Sequence, residues 1–168
     1  MAFAFLQQGP GMSFGMNVEG EQQFLVGLQT ILRRVKDIRP LAKPYDWVLR
    51  KSVGSRFESE GAQKERWAAL APSTVADRIR RGFPGEHPIL VRTGDLLRSL
   101  ILRSHGRHIL EAHKQYVDYG STVSYAVYPQ TGTSRMPRRA MILVTASDLN
   151  QLVRFTRMHV MDEKIFEG

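Results

Sequence analysis

The chain contains no cysteine, which excludes a disulfide framework and thiolate metal sites and accords with a cytoplasmic origin. It has no run near the roughly 20 apolar residues needed to cross a bilayer. Its first residues, MAFAFLQQGPGMSFGM, carry no basic segment before a short apolar run that stops at Gln7-Gln8, so they do not read as a signal peptide. No internal repeat is visible, which argues against a solenoid. Catalytic signatures are missing too. There is no Gly-x-Ser-x-Gly elbow and no supported Ser/His/Asp set. The Gly82-Phe83-Pro84-Gly85 stretch lacks the lysine of a phosphate-binding loop. Of the five histidines, His105, His108 and His113 are close in sequence, but their spacing fits no helical metal pair. If they lie on a strand, parity puts His108 and His113 on opposite faces. Glu58 and Glu60 read as a solvated acidic turn rather than a glycosidase pair. The expectation is a protein that is not an enzyme and holds no cofactor or metal.

What is present describes one soluble globular domain. The 168 residues are 42% apolar and 24% charged, ordinary values for a chain that folds on its own core. The net charge of +8 implies partners that are acidic in part. Residues 1–56 hold eight bases and four acids, 57–110 nine and six, and 111–168 seven and six. The excess is therefore spread over the first two thirds and is not a basic tail.

Along the chain, residues 1–20 show glycines and Pro10 without apolar periodicity, and are expected to form an extended or mobile arm. Phe3, Phe5 and Phe14 could anchor such an arm on a neighbour. A body of residues 21–168 should follow as a single domain. Phe24, Leu25, Leu28, Ile31, Leu32, Val35 and Ile38 recur at three- and four-residue steps and predict a helix that ends before Pro40. A second helix is expected over about 43–57, burying Trp47, Val48, Val53 and Phe57. Residues 58–92 read as a long loop holding one short helix, capped by Ser73 and closed by Gly82. Strands are expected over Leu96–Leu102, His108–Ala112, Tyr116–Tyr119 and Ala140–Val144. A last helix begins at a capping box of Thr145 and Asp148, runs to about Lys164 and buries Leu149, Leu152, Val153 and Val160. The fold class is α+β: N-terminal helices and a C-terminal helix packed on a mostly antiparallel sheet of about four strands.

The candidate binding residues are a lone aromatic and two basic clusters. Trp67 lies in the long loop, Arg78, Arg80 and Arg81 on its short helix, and Arg135, Arg138 and Arg139 on the connector before the last helix. Arginine presents a rigid fork of donors suited to carboxylate or phosphate. An acidic protein face, plain solvent and DNA are the three uses to weigh, in that order.

The order of short phrases carries a resemblance. They are Phe57-Glu58-Ser59-Glu60-Gly61, Trp67, Leu70-Ala71-Pro72-Ser73-Thr74 and the basic Arg78 to Arg81. Then follow Ile89-Leu90, Thr93-Gly94-Asp95-Leu96, Ser99-Leu100, Tyr119-Gly120-Ser121, Tyr125-Ala126, Gln130-Thr131-Gly132 and Pro137-Arg138. Over about residues 20–160 the chain resembles the phage virion morphogenesis, or tail completion, family of Mu-like and related tailed phages. One departure is Pro129, where the family often has a histidine. The resemblance implies a structural virion protein of the neck, assembled in the bacterial cytoplasm, that joins head to tail. It implies a homo-oligomeric ring, commonly six-fold, between the head connector or head-closure protein and the tail terminator or tail tube. Weak contact with DNA in the channel is possible on that reading, and no membrane is involved. Two alternatives stand beside it: a tail terminator or head-closure protein built on the same ring physics, and a basic nucleic-acid-binding protein whose affinity falls steeply with salt.

Overall fold

The computed structural model describes residues 2–6, 13–17, 21–62 and 65–161. The chain divides into two compact units, Met1–Lys36 and Asp37–Gly168. In the first, the stretch expected to be an irregular arm contains a hairpin. Strand β1 (Ala2–Leu6) pairs antiparallel with β2 (Ser13–Asn17), setting Phe3 opposite Met16 and Phe5 opposite Phe14. Aromatic residues at alternating positions favour such pairing. Helix α1 (Glu21–Val35) follows, and its apolar residues Phe24, Leu28 and Leu32 are exposed.

The second unit is built on a central helix. After a 3-10 turn at Arg39–Leu41, α2 runs from Ala42 to Glu58. Its exposed residues Lys43, Trp47, Lys51, Ser55 and Glu58 form one stripe at helical spacing. Much of the rest is buried, so the helix is only weakly amphipathic. Trp47, expected in the core, lies on the exposed stripe at 47% exposure, with the Lys51 ammonium 5.2 Å over its ring. One flank of α2 meets α6 (Ala146–Met161), where the Ser52 hydroxyl donates to Asp148 Oδ2 at 2.8 Å and Tyr45 Oη lies 2.6 Å from Thr156 Oγ1. Another meets α4 (Asp95–Ile101) and the antiparallel pair β5 (His108–Ala112) and β6 (Val117–Ser121). Val53, Phe57, Trp67, Leu96, Leu100 and Met141 share the core between them.

That second contact contains a buried ionic hub. Asp46 is fully buried and accepts from Arg50 Nε at 2.8 Å, with Arg103 Nε 2.6 Å away. His108 Nε2 stands 3.1 Å from the same carboxylate, and its Nδ1 lies 3.0 Å from the Ser99 carbonyl. Burial pushes the nearby Tyr119 hydroxyl well above its usual range, and the Asp46 charge adds to that. A buried carboxylate is tolerable because both of its oxygens have nitrogen partners.

The α+β class holds, but the sheet of about four strands does not. The described residues form three separate two-stranded antiparallel ladders, β1–β2, β5–β6 and a minimal β3 (Gly61–Ala62) with β4 (Glu65–Arg66). The expected strand at Leu96–Leu102 is helix α4. Gly94 takes a left-handed φ of +75° at its N-cap, and Asp95 places a negative charge in the first turn. Leu96, Ser99 and Leu100 then fall on one helical face and are buried. The expected strand at Ala140–Val144 is irregular because a side chain takes the place of a ladder. Gln130 Oε1 accepts from the Met141 and Ile142 amides at 2.8 and 3.0 Å, and its Nε2 donates to the Ile142 carbonyl at 2.7 Å.

Two terminal signals in the sequence do form. Gly82, with φ +75°, follows the last turn of α3 (Pro72–Arg80), although Ala71 rather than Ser73 is its N-cap. At the start of α6 the Thr145 amide and hydroxyl both donate to Asp148 Oδ2, and the Asp148 amide donates back to Thr145 Oγ1 at 3.1 Å. The phase of α6 differs from expectation. Asp148 and Thr156 face inward, while Leu149 and Val153 are exposed. The end expected near Lys164 lies outside the described residues.

Candidate partner-binding cleft

Within the stretch expected to be a long loop, one carboxylate ties separate segments together. Glu60 accepts the Ile89 amide at 2.8 Å, and His87 Nδ1 lies 2.7 and 2.8 Å from its two oxygens. Its carbonyl accepts from the Trp67 amide at 2.8 Å. Glu60 is therefore an internal latch and not part of a solvated turn. Partial burial pushes its pKa up, but hydrogen bonds from Ile89 and His87 and the charge of Arg66 outweigh this and hold it below the usual range.

The latch positions one wall of a cleft of about 550 Å³. Leu90 to Leu96 form that wall, α3 a second with Thr74 and Arg78, and the connector from Arg135 to Pro137 a third. Tyr125 and the Ala69–Ala71 segment complete it. Leu90 holds a left-handed φ of 62°, a conformation that costs an L-residue about 1–2 kcal/mol and that persists where surrounding contacts fix it.

The seven residues singled out in the sequence separate into two groups. Trp67 is buried, packs edge-on against Phe57 with ring centroids 5.2 Å apart, and donates from Nε1 to the Ala140 carbonyl at 3.2 Å. Arg78 is 4% exposed and donates from Nη2 to the carbonyls of Pro88 and Val91 at 3.1 and 3.2 Å, while its buried Nε has no acceptor. Arg139 is 3% exposed and donates to the carbonyls of Ala68 and Ala69, both at 2.8 Å. Burial lowers its pKa from the ordinary value. Trp67, Arg78 and Arg139 brace the loop from inside, where stretches without secondary structure leave carbonyls that need donors, and Arg78 and Arg139 also line the cleft.

The other four are exposed. Arg80 and Arg81 both pair with Asp77, Arg81 Nε at 2.9 Å, and so are satisfied within their own helix. Arg138 donates to the Gln130 carbonyl at 3.3 Å and lies 3.7 Å from Glu65. Arg135 lines the cleft and, among the described residues, makes no ion pair. Sequence reading missed its counterpart on the opposite wall. Arg92 stands alone between Val91 and Thr93, in no basic cluster, and its guanidinium lies 5.7 Å from the Phe83 ring centre with no acidic partner among the described residues. The two aspartates on the lining are engaged from outside it: Asp77 by Arg80 and Arg81, Asp95 by Arg107 at 2.7 Å and His105 at 3.2 Å. The cleft thus offers apolar groups together with two exposed arginines, Arg92 and Arg135, that have no acidic partner among the described residues.

The histidines do not converge. His108 belongs to the Asp46 hub, whereas His113 stacks on Tyr116 at the far end of the β5–β6 hairpin, 3.5 Å from Asp118 and 3.8 Å from Glu111. His113 is half-buried here, and the Glu111 and Asp118 carboxylates are exposed. No helix among the described residues is long and apolar enough to cross a membrane. No family model matches the chain, nor does any curated protein or solved structure.

Proposed function

We propose that this chain is a structural protein of the phage neck that completes the tail and joins it to the head as part of a homo-oligomeric ring, acting by binding without chemistry. The observation that carries this reading is where the motif phrases fall. Trp67, Leu96, Ser99, Tyr119, Ser121 and Gln130 all make internal bonds or packing of the second unit. Ser99 Oγ lies 2.7 Å from Ser121 Oγ, and the Tyr119 hydroxyl donates to the Leu100 carbonyl at 2.8 Å. Leu70-Ala71, Leu90, Thr93-Gly94-Asp95-Leu96, Tyr125 and Pro137 line the cleft. The phrases therefore specify a scaffold and one concave surface, as a binding module needs. Neighbours in the assembly would be the head connector or head-closure protein on one side and the tail terminator or tube on the other. Six weak contacts made at once give high avidity.

Deletion of the gene in its phage, followed by negative-stain microscopy of lysates, tests the reading. Filled heads beside separate tails, rescued by a plasmid copy, are the expected result. Tails of abnormal length would move the protein to the terminator position, and normal infectious virions would remove the assignment.

A further inference from the structure

The cleft calls for an occupant with both apolar and acidic groups, and this chain carries one. Residues 162–167 read Asp-Glu-Lys-Ile-Phe-Glu, three acids and one base around an Ile-Phe pair. Their own cleft is out of reach. Helix α6 runs antiparallel to α2: Asp148 contacts Ser52, Thr156 contacts Tyr45, and His159 Nε2 lies 3.1 Å from the Asp37 carbonyl. Met161 therefore sits at the N-terminal end of α2. The cleft lies toward the other end, since Leu96 on its lining shares the core with Val53, Phe57 and Trp67. From Asp148 to Met161 the helix spans about 20 Å, and the cleft lies beyond Asp148. Phe166, five residues past Met161, extends at most about 18 Å.

We propose that residues 162–167 of one copy dock in the cleft of the next, with Ile165 and Phe166 against its apolar lining and the acids facing Arg92 and Arg135. The contact is heterologous, since tail and cleft are different surfaces, and repeated with the right rotation it closes a ring. It gives the neck reading a specific subunit contact and rests on that reading only for ring closure.

Two variants of the full chain test it. Arg92→Glu with Arg135→Glu spoils the cleft; Glu163→Gln, Phe166→Ser and Glu167→Gln spoil the segment without giving it a charge that the reversed cleft could attract. All five side chains lie on the surface or beyond the described residues, so circular dichroism melts should match the parent. In sedimentation velocity the parent is expected to form oligomers and each variant to run as a monomer. An equimolar mixture is expected to give dimers and nothing larger, because only one intact pair of surfaces remains. If either variant assembles like the parent, or the mixture yields no dimer, the docking proposal is overturned while the ring reading stands. A parent that stays monomeric over a wide concentration range overturns both. Loss of DNA oligonucleotide binding in the cleft variant, with assembly intact, would assign the cleft to nucleic acid instead.

Discussion

Arg139 and Arg135 are four residues apart in one connector, and they do opposite work. The first is buried with its guanidinium spent on two loop carbonyls; the second stands on the cleft without an acidic partner among the described residues. Arg78 and Arg92 repeat the contrast. The buried pair satisfies carbonyls of the irregular segments on either side of α3, whereas Arg92 and Arg135 meet no acid among the described residues. A basic cluster in a sequence is thus two populations, and only burial separates them.

Breaking the buried population should cost the most. Asp46→Ala leaves Arg50, Arg103 and His108 facing an empty hub, and loss of one partner from a buried charge cluster costs about 3–5 kcal/mol; urea unfolding should show it as a lowered midpoint. Arg139→Met keeps the stem but frees the Ala68 and Ala69 carbonyls, and about 2–4 kcal/mol is expected from two charged hydrogen bonds. A native-state hydrogen-exchange comparison should place the lost protection in residues 65–92.

Acid should act on the same braces. Burial raises the Asp148 pKa, but bonds from Thr145 and Ser52 and the charge of Arg56 outweigh it, so the folded value lies below the ordinary 3.8, as that of Glu60 lies below 4.5. Groups depressed on folding stabilise fully above their unfolded values, and that stabilisation is lost as pH falls through the folded ones. Stability should therefore hold from neutral pH down to about 5 and drop below it. Glu60→Gln should lower the neutral-pH midpoint and flatten this acid limb. The smallest effect belongs to Arg80→Ala with Arg81→Ala. These exposed pairs with Asp77 are screened by solvent, and the thermal midpoint should not move measurably.

How much of this was legible in the sequence differs by region. Strand β5, helix α2, the Gly82 terminus and the Thr145–Asp148 box follow from local chemistry, which needs only neighbours in the chain. The misreadings arise where a distant group decides. Leu96–Leu102 has strand-forming composition, but Gly94 and Asp95 start a helix whose buried face is the Leu96, Ser99, Leu100 set. Ala140–Val144 has the composition of a strand but is irregular, its backbone bonded to a glutamine side chain instead of a partner strand. The hairpin of residues 2–17 was hidden because its glycines suggested an irregular arm, although Phe3 and Phe5 alternate as a strand requires. Arg92 was invisible because an isolated arginine carries no pattern; only its position opposite Arg135 gives it meaning.

The contrast between the two arginine populations is tested most directly by complementation. On the neck role proposed above, a phage lacking the gene would be supplied with a copy carrying Arg92→Glu and Arg135→Glu, whose purified product melts like the parent. The account predicts no infectious particles, with filled heads and free tails in the lysate. Normal yields of joined virions from that copy would contradict it.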